Sequence, residues 1–317
     1  MIVVLAGGVG GARMAHGLQQ VLPPGQLTAV VNTADDFTHY GLHISPDLDT
    51  VMYTLGGIAD PVNGWGVAGD TRRTLDAIAG YGRDPWFLLG DQDFATHILR
   101  TERLRQGASL TDATAELAVG LGIPTPILPV TDDPVATQIL SHGGWLDFQD
   151  YFVGRRQADD VLEVRFAGIE RAQASPAVLQ AIADANYIVV APSNPIVSIG
   201  PILGTPGLRD AMSGAAAPVV AVSPIISGQA LKGPAANMLR TLGHDVSALG
   251  VARIYGDAIN GLVIDDADAE LAPQIEAVGP RVLVTNAIMG DAADRARFAA
   301  EVLGFARSLA LEQAATR

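Results

Sequence analysis

Residues 2–13, with the sequence IVVLAGGVGGAR, decide the fold. Residues 2–5 form an apolar run of strand length, and four glycines follow within residues 7–11 before a helical pattern begins. Glycine permits positive φ and lets the backbone approach a phosphate closely, while a helix N-terminus favours negative charge. A strand, a glycine-rich turn and a helix in this order predict the first unit of a parallel α/β sheet.

Three further apolar runs, at residues 27–32, 187–191 and 218–223, also end in small or turn-forming residues before helical patterns. A fifth run at 281–285 is followed by a helical periodicity over 291–311, which predicts a last strand and a closing helix. Strands covered by helices on both faces read as continuous apolar runs, as these do. We therefore predict an α/β fold with a doubly wound, mostly parallel, Rossmann-like sheet.

The connections of this sheet carry two predicted insertions. Residues 65–125 are mainly helical in pattern, and residues 126–170 contain strand-like alternation with aromatic residues. We find no internal repeat, low-complexity tract or long polar linker in the sequence. Residues 1–317 are therefore predicted to form a single elaborated α/β domain with one helical and one small β-rich insertion.

Composition excludes several classes of function. The 317 residues contain no cysteine, which removes disulfides, thiolate metal sites and a cysteine nucleophile. A formal net charge of -14 argues against a nucleic-acid partner. No signal peptide and no apolar run of spanning length is visible, so we expect a cytoplasmic protein without a membrane partner. A homodimer is the expected assembly.

Polar and glycine residues follow the predicted strands, where ligands of open α/β sheets bind. The glycine turn favours phosphate or nucleotide binding, although a tight turn without a ligand remains the alternative. The other candidates could equally form local turns. The residues concerned are Gly7, Gly8, Gly10 and Gly11, then Asn32, Thr33 and Asp36, then Ser193 and Asn194, and finally Lys232, the only lysine of the chain.

Residues 45–50, with the sequence SPDLDT, have the composition of a helix start. Ser45 is the predicted N-cap, Pro46 the first helical residue, and two acids occupy the first turn. Asp47 and Asp49 are also hard oxygen ligands of the kind that Mg²⁺ requires in phosphoryl chemistry. Both interpretations stay open on these residues alone.

Residues 90–100 place polar side chains on a further predicted helix. Asp93, Thr96, His97 and Arg100 occur within three turns, and the last three lie near one helix face. His97 could hydrogen-bond a substrate or transfer a proton, although a lone histidine is more often structural. We interpret this helix as a polar wall of a pocket.

Several catalytic motifs are absent from the sequence. It has no Gly-Lys-Ser/Thr phosphate loop, no nucleophile elbow and no His-Glu-x-x-His metal motif. The dinucleotide fingerprint fits badly, because Arg13 stands at its third glycine and the second strand ends in Asn32. After these exclusions, nucleotide or phosphate-ester chemistry is the function that the sequence favours.

Eight segments, in chain order, together resemble one protein family. They are residues 7–11 (GGVGG), 31–36 (VNTADD), 44–51 (ISPDLDTV), 90–97 (GDQDFATH), 107–112 (GASLTD), 128–135 (LPVTDDPV), 191–195 (APSNP) and 222–226 (VSPII). This series is similar to that of the 2-phospho-L-lactate transferases of deazaflavin coenzyme F-420 biosynthesis. The resemblance extends from residue 1 to the C-terminal helix.

The resemblance implies a Mg²⁺-dependent transferase with two small-molecule substrates. The donor would be a guanosine-diphosphate-activated three-carbon acid, carrying a 2-phospholactyl or phosphoenolpyruvyl group. The acceptor would be the deazaflavin Fo, whose terminal ribityl hydroxyl attacks phosphorus, releases GMP and forms coenzyme F-420-0 or its dehydro form.

The resemblance also implies a role for each candidate segment. Gly7, Gly8, Gly10, Gly11, Ser193 and Asn194 would hold the donor phosphates, to which Lys232 is added as a candidate from its place in the sequence. Asp47 and Asp49 would bind Mg²⁺ and approach the Fo hydroxyl. The acceptor side would be lined by Asn32, Thr33, Asp36, Asp49, Asp93, Thr96 and His97.

Two other functions stay open on the sequence alone. One is a non-catalytic nucleotide-binding regulator of the same fold, and the other is a nicotinamide-dependent oxidoreductase. The sequence favours the transferase because of Asp47 and Asp49. We expect Asp49→Ala to abolish transfer without unfolding the protein, since an exposed acid at a helix start contributes at most ~1 kcal/mol.

Overall fold

The structure is a computed structural model that describes residues 1–230 and 233–316. In chain order its strands are β1 (Ile2–Ala6), β2 (Leu27–Val31), β3 (Phe37–His39), β4 (Leu42–Ile44), β5 (Ile127–Pro129), β6 (Ala136–Ser141), β7 (Gly144–Asp147), β8 (Glu163–Ala167), β9 (Tyr187–Val190), β10 (Val219–Val222), β11 (Ile225–Ile226), β12 (Gln229–Ala230), β13 (Gly261–Ile264) and β14 (Arg281–Val284).

The α-helices alternate with the strands over most of the chain. They are α1 (Gly8–Val21), α2 (Pro46–Leu55), α3 (Arg73–Gly80), α4 (Asp91–Arg105), α5 (Leu110–Gly120), α6 (Pro176–Ala183), α7 (Ile199–Gly204), α8 (Leu208–Gly214), α9 (Ala235–Thr241), α10 (Ala248–Tyr255), α11 (Ala272–Glu276) and α12 (Ala292–Thr316). A π-helical segment occupies Asp150–Gly154.

Seven strands form the central sheet, and all of its neighbouring pairs are parallel. Their order is β14-β13-β10-β9-β1-β2-β5. The chain therefore proceeds from β1 towards one edge through β2 and β5, and later from β9 towards the other edge. This reversal places a topological switch point between the carboxyl ends of β1 and β9, where open α/β sheets bind ligands.

Helices cover both faces of the sheet, which confirms the predicted doubly wound α/β fold. On one face, Val4 and Ala6 of β1 pack in a core that includes residues of α1, α2 and α12. On the other face, Val3 and Leu5 pack in a core that includes residues of α6, α7, α8 and α10. Successive side chains of a strand point to opposite faces, so a strand buried on both faces must be apolar throughout.

The five predicted strands all occur, within one or two residues of their expected bounds. Two strands of the central sheet were not predicted. β5 has three residues and ends in Pro129, and β13 has four residues that begin with Gly261. Short strands that contain proline or glycine give a weak sequence signal, because both residues are uncommon inside strands.

The long connection between β2 and β9 contains β5 together with smaller elements. The hairpin β3–β4 precedes α2, and helices α3 to α5 follow within residues 73–120. β6, β7 and β8 form a separate antiparallel sheet in which β6 is central. Ile139, Phe148 and Tyr151 contribute to a separate small core beside this sheet.

Among residues 1–230 and 233–316, no helix combines the length and the apolar character needed to cross a membrane.

Helices α1 and α12 approach each other closely at Gly17. A Cβ atom added at Gly17 would lie 2.3 Å from the backbone oxygen of Arg295. A backbone atom cannot move aside as a side chain can, so any side chain at position 17 must push the helices apart.

We expect Gly17→Ala to lower the free energy of unfolding by about 1–3 kcal/mol, the usual cost of overpacking. The matched control is Gly304→Ala in α12, where an added Cβ meets no atom within 4 Å. Because alanine is the better helix former, this control should raise the free energy of unfolding by up to about 1 kcal/mol. Urea denaturation measures both values, and equal effects of the two substitutions would contradict the close contact.

Candidate active site

A cleft of about 520 Å³ lies at the switch point of the sheet. The turns after β1 and β9, the first turn of α2, and helix α4 contribute to it. Of the residues predicted from the sequence, the cleft is lined by Gly7, Gly8, Gly10, Asp47, Asp49, Asp93, His97, Ser193 and Asn194. Four segments that are far apart in the sequence therefore meet here, and two of them follow adjacent parallel strands.

The glycine turn packs against the turn that follows β9. The Gly7 amide donates to Ser193 Oγ at 3.1 Å, and the Ser193 hydroxyl donates to the Gly7 carbonyl at 2.8 Å. A Cβ atom at Gly10 would lie 2.2 Å from the Pro192 carbonyl oxygen, and one at Gly11 would lie 2.8 Å from Ser193 Oγ. Gly10 and Gly11 are thus needed for backbone packing, and Gly11 does not line the cleft.

The carboxylate of Asp47, in the first turn of α2, lies at the N-terminus of α1. Its Oδ1 accepts from the Gly8 amide at 2.8 Å, and its Oδ2 accepts from Asn32 Nδ2 at 3.0 Å. Burial raises the pKa of Asp47 to about 6, although the bonds from Asn32 and Gly8 oppose this rise. Asn32 therefore acts on the cleft through Asp47 and does not itself line it.

Asp35 also lines the cleft, although sequence reasoning did not select it. It is 6% exposed, and its Oδ1 is buried without a hydrogen-bond partner. Burial and the nearby Asp47 raise the pKa of Asp35 well above its usual range, while the neighbouring Thr137 and Asn32 lower it only in part. The signal available in the sequence is the adjacent acidic pair Asp35-Asp36.

Asp49 is held by a buried arginine. Arg100 is fully buried, and it contacts both carboxylate oxygens of Asp49, with Nη1 3.1 Å from Oδ2 and Nη2 bonded to Oδ1. Asp49 itself is 5% exposed, so the expectation of an exposed helix-start acid was wrong. The pair links α2 to α4 at the wall of the cleft.

His97 lies beside this pair and is 2% exposed. Its Nδ1 is 3.4 Å from Arg100 Nη1 and 3.5 Å from Asp49 Oδ2. Burial lowers the pKa of His97 to about 4, although Asp49 opposes this effect. The imidazole is therefore neutral at pH 7.

Asp93 begins the polar wall formed by α4. Its Oδ2 accepts from the Gly90 amide at 3.0 Å and so caps the helix. Burial raises the pKa of Asp93 to about 6. Tyr53 lies close to Asp93 and Thr96, but its hydroxyl has no hydrogen-bond partner. Thr96 does not line the cleft.

Asp36 and Thr33 lie behind the cleft and do not line it. Asp36 Oδ2 accepts from the Ser45 hydroxyl at 2.7 Å and lies 3.0 Å from His43 Nε2. Ser45 stands at the N-cap position of α2 and Pro46 is its first residue, as predicted, but the Ser45 hydroxyl bonds Asp36 and makes no capping bond. Thr33 is buried, and its hydroxyl has no partner.

Apolar side chains form two further walls. Trp65, Phe87, Leu89 and Tyr53 line the cleft. Phe148 and Phe152 line it as a stacked pair, with ring centroids 5.4 Å apart and ring planes 8° from parallel. Phe152 belongs to the π-helical segment, a rare conformation that is frequent at functional sites. Flat, partly apolar ligands fit such walls.

The remaining prediction falls outside these residues. Lys232 lies outside the described part of the chain, so its proposed contact with phosphate stays a prediction. Within the described part, no group of three or more histidine, aspartate or glutamate side chains is arranged to hold a metal ion.

Sequence comparison agrees with this geometry. Residues 2–286 match the model of the family described as 2-phospho-L-lactate transferase CofD. The chain belongs to the CofD family. It is therefore a transferase by family, and the series of eight motifs in the sequence identified that family correctly.

Two relatives of this CofD-family protein differ in their names. A phosphoenolpyruvate transferase of Streptomyces griseus subsp. griseus is 40% identical over 314 residues, covering 97% of this chain and 99% of the relative. A 2-phospho-L-lactate transferase of Methanosarcina mazei is 42% identical over 267 residues, covering 84% of this chain and 88% of the relative.

A solved structure of a UPF0052-family protein from Bacillus halodurans shares the fold. It has a TM-score of 0.64 and 13% sequence identity, covering 95% of this chain and 98% of the other. At that identity the likeness concerns the fold alone.

The raised pKa of Asp93 predicts how this CofD-family protein responds to pH. A carboxyl whose pKa is higher in the folded state contributes stability fully below pH 4 and loses it as the pH rises through about 6. Asp93→Asn should therefore gain up to about 3 kcal/mol relative to the wild type between pH 4 and pH 7.5. Urea denaturation at both pH values measures this.

The control for this experiment is Asp91→Asn, two residues away in the same helix. Hydrogen bonds from Thr71 and Thr74 lower the pKa of Asp91 to about 2. The ionised Asp91 carboxylate contributes to stability above pH 4, and this contribution is lost as the pH falls through about 2. The Asp91→Asn variant should therefore be less stable than the wild type at pH 7.5. If both variants changed the free energy of unfolding in the same direction relative to the wild type at pH 7.5, the opposite pKa shifts of Asp91 and Asp93 would be contradicted.

The Asp49–Arg100 pair predicts that Asp49→Ala is a stability variant. Removing one partner of a buried ion pair leaves the other charge unpaired, at a cost of about 3–5 kcal/mol. The double variant Asp49→Ala/Arg100→Met should recover most of this loss, because it leaves no unpaired charge. Denaturation of both variants tests the pair, and an Asp49→Ala protein as stable as the wild type would show that the pair contributes nothing.

Proposed function

We propose that this protein transfers a phospho-three-carbon-acid group, 2-phospholactyl or phosphoenolpyruvyl, from a guanosine-diphosphate-activated donor to the deazaflavin Fo. The products are GMP and coenzyme F-420-0 or its dehydro form. The observation that carries the proposal is a CofD-family chain whose acidic cleft also has wide aromatic walls. The names of the relatives support the class of transferred group.

The cleft suits two flat ligands joined at one reacting centre. Its polar floor comprises the glycine turn, Asp47 and Ser193, and two groups of apolar side chains line the rest of the cleft. The reaction needs the ribityl hydroxyl of Fo in line with the bond from phosphorus to the GMP leaving group. Binding and alignment by the walls would supply much of the rate enhancement.

Mg²⁺ fits the acidic floor. Asp35 and Asp47 are both buried there, Asp35 Oδ1 has no partner, and each carboxylate offers hard oxygen ligands. Mg²⁺ commonly binds through one or two carboxylates together with substrate phosphates, so a larger protein ligand set is not required. When bound, the ion would neutralise the diphosphate and stabilise charge on the leaving group.

Asp49 is the weaker candidate for a second ligand of that ion, because the buried guanidinium of Arg100 contacts both of its oxygens and already compensates its charge. The partners of Asp47 are neutral amides, which leave its charge available. We therefore assign the ion to Asp35 and Asp47 in place of the pair Asp47 and Asp49. The role that remains for Asp49 is to hold Arg100 and His97 at the wall of the cleft.

The oxidoreductase alternative has no support in the second strand. A ribose-binding acid is expected at the end of β2, but Asn32 stands there and donates to Asp47. A nucleotide-binding regulator is the outcome that remains if the acceptor does not bind.

The first test is a fluorescence titration of the protein with Fo, with and without Mg²⁺ and GDP. We expect saturable binding, followed by formation of a phosphodiester product when a guanylylated donor is added. Parallel assays with 2-phospholactyl and phosphoenolpyruvyl donors identify the preferred acid. An absence of Fo binding under every condition would overturn the transferase proposal.

The role of the acidic floor is tested by Asp47→Asn. We expect a loss of transfer of about 100-fold or more, because a preorganised charge at the reacting phosphate is removed. Asp112→Asn is the matched control, since Asp112 caps α5 and does not line the cleft. If Asp47→Asn transferred the group as fast as this control, the proposed role of Asp47 would be wrong.

A further inference from the structure

His97 has one ring nitrogen without a partner. Its Nε2 atom is buried and makes no hydrogen bond, although the side chain lines the cleft. The other nitrogen, Nδ1, faces Arg100 and Asp49. A buried polar atom left unsatisfied destabilises a protein, and a ligand in the cleft that supplied a partner for Nε2 would remove that cost.

The neighbours of Nδ1 determine which nitrogen carries the proton. A guanidinium group has only donors, and Arg100 Nη1 is positioned to donate to Nδ1 at 3.4 Å. Nδ1 must then be the bare, accepting nitrogen of a neutral ring. The alternative tautomer would place an N–H 3.5 Å from Asp49 Oδ2, but it would also turn that N–H towards the N–H of Arg100, which already donates to the same oxygen at 3.1 Å.

We propose that Arg100 fixes His97 as the Nε2–H tautomer, and that His97 donates a hydrogen bond to an uncharged oxygen of the acceptor substrate. A nitrogen that already carries a proton cannot remove one, so His97 is a binding residue and not the base of the reaction. Arg100, in turn held by Asp49, is a positioning residue. The identity of the ligand rests on the proposed function, whereas the tautomer does not.

Tyr53 supplies a second donor on the same wall. It lies in α2, is 1% exposed and lines the cleft, and its hydroxyl lies near Asp93 and Thr96 without a well-aligned hydrogen bond to either. A phenol is protonated near neutral pH and can donate. Two donors on the same wall, from neighbouring helices, suit a ligand with oxygen acceptors.

The charges near these donors select the kind of oxygen. The carboxylates of Asp49 and Asp93 lie on this wall, and both act electrostatically on Tyr53. An anionic phosphate would be repelled by unneutralised carboxylates such as Asp93. A ring carbonyl, as in a deazaflavin, accepts the same hydrogen bond without that repulsion.

Two substitutions separate the nitrogens of His97. The amide nitrogen of glutamine reaches the place of Nε2, whereas asparagine reaches only the place of Nδ1. We expect His97→Gln to bind Fo within about threefold of the wild type, and His97→Asn to bind it about tenfold more weakly, the value of one hydrogen bond. Both variants should bind GDP as the wild type does.

Other results would overturn the donor role. Equal losses of Fo binding in the two variants would do so, as would a loss of GDP binding in place of Fo binding. A His97→Gln protein that binds Fo normally but has lost transfer would show that His97 acts as a base.

The tautomer is tested directly by ¹⁵N NMR of the imidazole groups in the wild-type protein without ligand. The signal missing from the His97→Gln spectrum belongs to His97, and we expect the pattern of a protonated Nε2 and a bare Nδ1. The opposite pattern would overturn the inference whatever the ligand is. A protonated Nε2 in a protein that binds no Fo would confirm the tautomer and refute the proposed function.

Discussion

The close packing of the first turn of α1 against the turn after β9 is the constraint on which the cleft depends. The paired hydrogen bonds between Gly7 and Ser193 hold the two turns together. The missing side chains of Gly10 and Gly11 allow the Pro192 carbonyl and the Ser193 hydroxyl to approach the helix. Because β1 and β9 are adjacent in the sheet, this contact fixes the two turns relative to each other and so sets the floor of the cleft at the switch point.

This packing shows that the glycine motif does not by itself indicate a phosphate site. The glycines have a structural reason that requires no ligand, and the helix N-terminus already receives a carboxylate from Asp47. In a chain of net charge -14, two buried acids at the floor would repel a diphosphate. An anionic donor can therefore bind only together with a cation that reverses the negative charge of the floor. The buried acids and the proposed Mg²⁺ thus depend on each other.

Local pattern and parallel topology were enough to predict the fold and the position of the cleft. The fold class, five strands and the meeting of residues 7–11, 45–50 and 191–195 required only apolar runs and the rule that parallel strands end at one edge. The burial of Arg100 could not be predicted, because its partner Asp49 is 51 residues away and the contact depends on how α4 packs. Asp35 was missed for a similar reason, since two adjacent acids give no sign of which one faces the cleft.

The spacing of Asp47 and Asp49 explains why the two acids have different partners. Residues two apart on a helix point about 200° away from each other, so they cannot both face one ion from a straight helical turn. Asp47 consequently meets the glycine turn, and Asp49 meets Arg100 and His97. The first turn of α2 thus stands between the floor, where the donor phosphates are proposed to bind, and the wall assigned to the acceptor. One short motif can thereby orient both substrates towards a shared reacting centre, which a pair of acids on one helix face could not do.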